Sequence, residues 1–438
     1  MKKRENNLIK GALFLSIGGF ITKVIGAIYR IPLTNILSAE GIGLYQMVFP
    51  LYSLLLTVSS TGVPNGMAKL IAEKNDANKV LKSALCFFVP VSFIASLLLI
   101  IFSRNLAVLQ GNVYAKNCYV AIAPSVLLVS IISCFRGYFQ GKLDMKPTAI
   151  SQVLEQVVKL IFGLTLCYVF RQNIVLCAVL ASLAVSVSEL ATVVYFIFLK
   201  KYKSGGFKEF LTKKTDVKLV LKTVLPVMLC TLILPSARTI ESFLIVNILN
   251  KNFQNATSLY GLYSGAVESL VGVPVALLYG IAVSSVPTIA SLKKDGANYK
   301  KKIAEALLLT LISAIIFGLA FFLFSGFAVN LLYRRFSVME TTTTIKMLKI
   351  ASLSVLSLPL MQTTASILIA LGHYYVPVFS SLIAMLFKIP LSIILLNVPS
   401  INIFAVVITD IVCYLVACFI NLVYIIKDGA SKKHQKQL

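Results

Sequence analysis

The sequence predicts an all-α polytopic membrane protein, with about twelve transmembrane helices in two parallel six-helix repeats. Three observations predict it. The 438 residues are 58% hydrophobic and 13% charged, with a mean hydropathy of +0.89, whereas soluble domains carry about a quarter charged residues. The apolar residues gather in long runs, and a bilayer core needs about 20 of them per helix. The loops between runs are short, and alternate loops are rich in Lys and Arg, the asymmetry that sets membrane topology. Disorder and a disulfide-stapled scaffold are excluded by the same composition.

The spans follow in order. The first, 11–31, begins after Lys2, Lys3, Arg4 and Lys10. Lys23 and Arg30 interrupt it and no small-residue cleavage site closes it, so it is expected to be a retained span and not a signal peptide. The second, 43–66, opens on Gly43-Leu44-Tyr45 and holds Pro50 and Pro64. The third, 83–103, closes on Phe102-Ser103, and the fourth, 118–139, contains Pro124. The fifth, 149–170, follows Gly141 and Pro147, and the sixth, 174–199, ends in a lysine-rich segment from Lys200 to Lys218. The remaining spans are 219–248, 259–290, 304–329, 346–370, 375–396 and 402–426. Pro226, Pro235, Pro274, Pro287, Pro359 and Pro390 predict kinks in them. With no Trp, Tyr is expected to supply interfacial aromatics, and Tyr29, Tyr138 and Tyr202 sit near span ends.

The basic segment divides the chain into a six-helix lobe at 1–200, a cytoplasmic linker at 201–218, a second lobe at 219–427 and a basic tail at 428–438. The lobes resemble each other. Gly43-Leu44-Tyr45 has a partner in Gly261-Leu262-Tyr263, and Phe102-Ser103 in Phe324-Ser325. Gly141, Pro147 and Lys159 correspond to Gly372, Pro377 and Lys388. An even number of spans per lobe makes the repeats parallel, an architecture that binds cargo between its lobes. Both termini are expected in the cytoplasm, and the chain in the cell membrane.

The formal charge of +25 matches a nucleic-acid binder in magnitude. Its concentration in alternate loops instead fits topology and anionic membrane lipid. The eight cysteines fall in apolar runs without CxxC or Cys/His spacing, so no metal or disulfide framework is expected. No Walker A, HExxH or GxSxG sequence is present, and no enzyme activity or cofactor is expected.

Ionisable residues within spans carry most of the functional information, because each needs a partner or a hydrated cavity. The cations are Lys23, Arg30, Lys159, Arg238 and Lys388, and the anions are Glu155, Glu189, Glu241, Glu268 and Asp410. Gln152, Glu155, Gln156 and Lys159 share one helical face, and Glu155 is placed to pair with Lys159. Lys23 and Arg30 also share a face, and two like charges call for an anion such as a phosphate. Arg238, Glu241, Glu268, Lys388 and Asp410 are candidates for ion coupling or for structural pairs. Gly62-x3-Gly66, Gly137-x3-Gly141 and Gly261-x3-Gly265 predict close helix packing and say nothing of cargo.

Several of these residues form larger motifs. Thr22-Lys23-Val24-Ile25-Gly26, Gly41-Ile42-Gly43-Leu44-Tyr45-Gln46 and Ser60-Thr61-Gly62-Val63-Pro64 mark the first two spans. Arg136-Gly137-Tyr138-Phe139-Gln140-Gly141 and Pro147 to Gln156 lie between spans four and five. Together they resemble the stage V sporulation protein B group, of the polysaccharide-transporter branch of the multidrug/oligosaccharidyl-lipid/polysaccharide (MOP) exporter superfamily, related to the lipid II flippase family. The resemblance implies a two-lobed alternating-access flippase. Its implied cargo is an undecaprenyl-pyrophosphate-linked saccharide, for cell wall or spore cortex. It also implies a cavity role for the cations of span one, where Lys23 matches the motif. Flippases of the group often have fourteen spans where this chain has twelve. The sodium site of relatives uses acids in spans seven and eleven, where this chain has Glu241 and Lys388. Expected partners are the lipid-linked saccharide, membrane lipids and cell-wall or cortex synthesis enzymes, with no nucleic acid. The competing readings are a cation-coupled multidrug exporter and a non-transporting membrane scaffold.

Overall fold

The computed structural model describes residues 2–60, 62–73, 76–203, 215–294 and 298–435. Residues 204–214 of the basic linker and 436–438 of the tail lie outside them, as do the side chains of Lys2, Lys3, Arg4, Lys10, Tyr202 and Cys230. Every regular element among the described residues is helical. In chain order they are α1 (Lys2–Met47), α2 (Phe49–Ser60), α3 (Gly62–Ala72), α4 (Ala77–Ile101), α5 (Ser103–Leu109), α6 (Lys116–Gly141), α7 (Lys146–Val169) and α8 (Ile174–Lys203). After the linker come α9 (Val217–Leu249), α10 (Ala256–Gly261), a π turn (Leu262–Val267), α11 (Glu268–Lys294), α12 (Lys300–Leu332), α13 (Val338–Ala370), α14 (Tyr375–Leu396) and α15 (Phe404–Gln435).

Ten helical stretches among the described residues are long and apolar enough to cross a membrane. One of them, Ile21–Ala72, has 52 residues, about 78 Å of helix at 1.5 Å per residue against a core of about 30 Å. It therefore holds the first two expected spans. They are separated at Ser38, whose φ of 56° breaks the helical path of α1. The seventh expected span is α9, part of whose side chains are outside the description. The twelve runs read from the sequence are thus accounted for.

The chain forms two compact units, Met1–Val246 and Asn247–Leu438. The division falls near the end of α9, so the seventh span belongs with the first unit by its contacts. In that unit α1 packs on α7 and α8, α6 packs on α3, α4 and α8, and α7 packs on α8. Small residues permit these approaches. A Cβ on Gly137 would stand 2.9 Å from Met67 Cβ and 3.0 Å from Pro64 Cα, so α3 and α6 meet nearly backbone to backbone. Around that contact lies a core of Val63, Met67, Phe135, Tyr138, Phe139, Phe196 and Val224. The rings of Phe135 and Phe196 stack at 5.6 Å. α9 joins the unit where Thr239 Oγ1 donates to Pro50 O at 2.9 Å and Val220 and Val224 enter the core. Its first turn is capped by Asp216, which accepts from Leu219 N at 3.2 Å and pairs with Lys79 at 3.3 Å.

In the second unit α13 packs on α11, α12 and α15, and α14 packs on α15. α13 starts in a capping box between Ser337 and Glu340. α12 exposes Leu319, Phe322, Leu323, Phe324 and Phe327, the surface expected of a helix that faces lipid.

Tyr29 and Tyr138 correct a sequence expectation. They are 2% and 0% exposed, packed inside the first unit and not presented to lipid headgroups. Proximity to a span end did not reveal which helical face carried them.

Candidate functional site

The helix period places polar residues on one side of α7, and α1 supplies the opposing wall. Three close approaches fix that contact. A Cβ on Gly18 would stand 2.9 Å from Ala149 Cβ, one on Gly26 3.7 Å from Gln156 Oε1, and one on Gly163 2.5 Å from the Tyr29 hydroxyl. The Tyr29 ring then lies 5.7 Å from Lys159 Nζ, within reach of a cation–π attraction. Half-buried Arg30 follows Tyr29, and exposed Lys23 lies two turns earlier on α1. Gln152, Glu155, Gln156 and Lys159 are all half-buried. The structure thus brings Arg30, Gln156 and Lys159 together, while Lys23 is exposed two turns away.

Glu155 does not take the partner expected from the sequence. Its carboxylate pairs with Arg136 Nη2 of α6 at 3.3 Å, and Arg136 Nε donates to Ser151 Oγ at 3.1 Å. The guanidinium has two faces of donors and satisfies both α7 groups at once. Lys159 is left without a hydrogen bond or ion pair to the described residues. Glu155, Arg30 and Glu189 are its charged neighbours. Glu189 of α8 is 1% exposed and accepts a hydrogen bond from the Tyr52 hydroxyl of α2. Arg136 and Tyr52 were missed by the sequence reading. Arg136 opens the Arg136–Gly141 motif, its only signal in the sequence. Tyr52 sits in an apolar run and carried none.

In the second unit Lys388 Nζ of α14 lies 2.6 Å from Asp410 Oδ1 of α15, with side chains 6% and 12% exposed. Asp410 Oδ2 accepts from the Tyr263 hydroxyl at 2.5 Å, and Tyr263 also lies 3.5 Å from Glu268 Oε1. Residues five apart on an α-helix point about 140° away from each other. The π turn at Leu262–Val267 widens the spacing and brings Tyr263 and Glu268 to one side. Polar pairs continue along the same α14–α15 contact, Ser392 with Thr409 at 2.9 Å and Ser380 with Asn421 at 2.7 Å. Arg238 is exposed and Glu241 buried on α9.

Among the described residues no group of three or more His, Cys, Asp or Glu has the geometry of a metal site. Chemically, the first unit presents cations beside a buried acid, and the second presents a closed ion pair.

The family described as "Polysaccharide biosynthesis protein" matches residues 8–293. The chain is 28% identical over 353 residues to stage V sporulation protein B of Bacillus subtilis (strain 168), covering 75% of this chain and 67% of that protein. It is 27% identical over 334 residues to the lipid II flippase MurJ of the same organism, covering 68% of this chain and 60% of that one. The matched region is thus about three fifths to two thirds of these relatives' length. Among solved structures, an inward-facing MATE family multidrug transporter of the MOP superfamily superposes with a TM-score of 0.81 at 13% identity, over 97% of this chain and 99% of that one. Lipid II flippase MurJ, in an inward closed conformation, superposes with a TM-score of 0.74 at 16% identity, over 94% and 87%. The fold is that of the MOP transporters, as the sequence predicted.

Proposed function

The chain belongs to the polysaccharide biosynthesis protein family, and from that premise we propose that it is an alternating-access flippase of an undecaprenyl-pyrophosphate-linked saccharide. A peptidoglycan precursor such as lipid II, destined for cell wall or spore cortex, fits the names of the relatives. The observation that carries the proposal is Lys159, a half-buried ammonium beside Arg30 without an ion pair to the described residues. Such a cation attracts an anion, and a diphosphate offers oxygens to a lysine and an arginine together. Exposed Lys23 gives the headgroup its first contact, and Gln152 and Gln156 offer hydrogen bonds to sugar hydroxyls. Glu155 takes no anion itself. It holds Arg136 and keeps the polar face of α7 in place.

The physical need is clear, since a diphosphate and its sugars do not cross hydrocarbon unaided. The lysine distribution favours cytoplasmic termini. An inside-negative potential then supplies about 2.3 kcal/mol per charge per 100 mV for reorienting a cationic site. Membrane lipids surround the chain, and envelope-synthesis enzymes supply and consume its cargo. The MATE-like fold favours one other reading, a cation-coupled multidrug exporter.

The test is translocation of lipid II in proteoliposomes, followed by protection of its headgroup, with Lys159→Met and Lys23→Ala beside the wild type. Translocation that falls at least about tenfold in Lys159→Met supports the assignment. Folded protein that moves no lipid II but expels organic cations establishes the exporter instead.

A further inference from the structure

The first two turns of α9 have two unlike faces. On one, Val220 and Val224 enter the core of the first unit. A Cβ on Gly66 of α3 would stand 2.7 Å from Val224 Cγ2, so the helix is held in one rotation there. On the other, Lys218 and Lys222 point about 160° away from those valines and are exposed. Beside them an open cavity of about 540 Å³ is lined by Val217, Lys218, Leu221, Lys222 and Leu225. That lining is hydrocarbon apart from two ammonium groups one turn apart. Neither lysine has a hydrogen bond or ion pair to the described residues. The neighbouring acid, Asp216, is engaged elsewhere, by Leu219 N and Lys79.

We propose that this cavity holds an anionic phospholipid, with its phosphate on Lys218 and Lys222 and one acyl chain along Val217, Leu221 and Leu225. Two like charges at i and i+4 repel each other. A phosphate between them removes that repulsion and accepts a charge-assisted hydrogen bond from each. The three apolar residues recur every fourth position and form one strip about 12 Å long, which suits hydrocarbon. No hydroxyl, amide or carboxylate side chain lines the cavity, so nothing there reads a sugar. A phospholipid therefore fits it better than a saccharide-bearing cargo does.

The place of the cavity in the chain agrees. α9 begins directly after the lysine-rich linker, on the side that the positive-inside rule favours for the cytoplasm and where anionic lipid gathers. A lipid bound there steadies the start of α9, whose other face seats Val220 and Val224 in the first unit. What the face between α1 and α7 carries has no bearing on this cavity.

The experiment uses the full chain in phosphatidylcholine nanodiscs with a trace of phosphatidylglycerol whose acyl chain is photoactivatable. After irradiation, peptide mapping of the wild type, which needs no variant to fold, is expected to find label on residues 217–225. Phosphatidylcholine with the same photoactivatable chain should mark that segment at least about fivefold less. Lys218→Gln/Lys222→Gln should cut the phosphatidylglycerol label about tenfold or more, at about fivefold per lysine facing anionic lipid. Lys301→Gln/Lys427→Gln removes the same charge from exposed lysines of the second unit and should leave the label unchanged. Equal labelling by the two lipids, equal loss in the two double variants, or label that misses this segment overturns the inference. Label displaced by farnesyl diphosphate but not by excess phosphatidylglycerol assigns the cavity to a prenyl diphosphate and overturns it too.

Discussion

Replacing Lys388 by Met should loosen α14 from α15. The ammonium lies 2.6 Å from Asp410, and the two side chains are only 6% and 12% exposed. Met keeps the length of the stem and removes the charge. Asp410 then keeps only the Tyr263 hydroxyl, at 2.5 Å. Breaking a buried pair from one side costs about 3–5 kcal/mol, whereas replacing both partners by neutral groups is often close to neutral. The double variant Lys388→Met/Asp410→Asn should therefore recover most of the loss, an interaction of at least about 2 kcal/mol in a mutant cycle. For a unit of this size each kcal/mol moves the midpoint by about 2–4 °C. The single variant should thus unfold roughly 6–20 °C lower and the double variant within a few degrees of wild type. Thermal unfolding of the purified chain, followed by circular dichroism in one detergent, reads both. A single-variant shift below about 2 °C, or a double variant as unstable as the single, would refute the view that this pair is desolvated and structural.

Three further outcomes are expected. Gly137→Ala should lower stability by about 1–3 kcal/mol, because its Cβ would press on Met67 and Pro64. Gly326→Ala, whose Cβ meets nothing within 4 Å, should be neutral or slightly stabilising, and equal losses in the two variants would contradict the close α3–α6 contact. Arg136→Gln should cost about 1–3 kcal/mol through the stranded Glu155, measurable in the same thermal assay, and Glu155→Gln in that background should restore part of it. The Asp216 carboxyl is held below its ordinary value of 3.8, first by the Leu219 N–H and then by Lys79. Its capping contribution is therefore complete above that value and is lost as pH falls through the lower folded value. Asp216→Ala should speed hydrogen exchange in the first turn of α9 at neutral pH, and the difference from wild type should close in acid.

The spans were legible because lipid demands long apolar runs, and composition alone records that demand. The mid-span charges were legible for the converse reason, since each stands out against hydrocarbon. Their partners were harder to read. A period of 3.6 residues shows that Glu155 and Lys159 share a face, but not that Arg136 approaches from a neighbouring helix. Tyr52 and Tyr263 were hidden because a tyrosine in an apolar run has the same signature whether its hydroxyl faces lipid headgroups or a buried acid. The π turn left no trace in the sequence either, and without it Glu268 would not stand beside Tyr263.

The Tyr29 ring occupies the space that a side chain at residue 163 would fill. Inheritance should carry a mark of that. A lineage that gains a larger residue at 163 keeps its first and fifth spans together only if the ring at 29 has already shrunk. The two positions, far apart in the chain, are therefore expected to drift as one unit in descendants. A survey of that joint drift would reveal the neighbouring of α1 and α7 in genomes for which no structure exists.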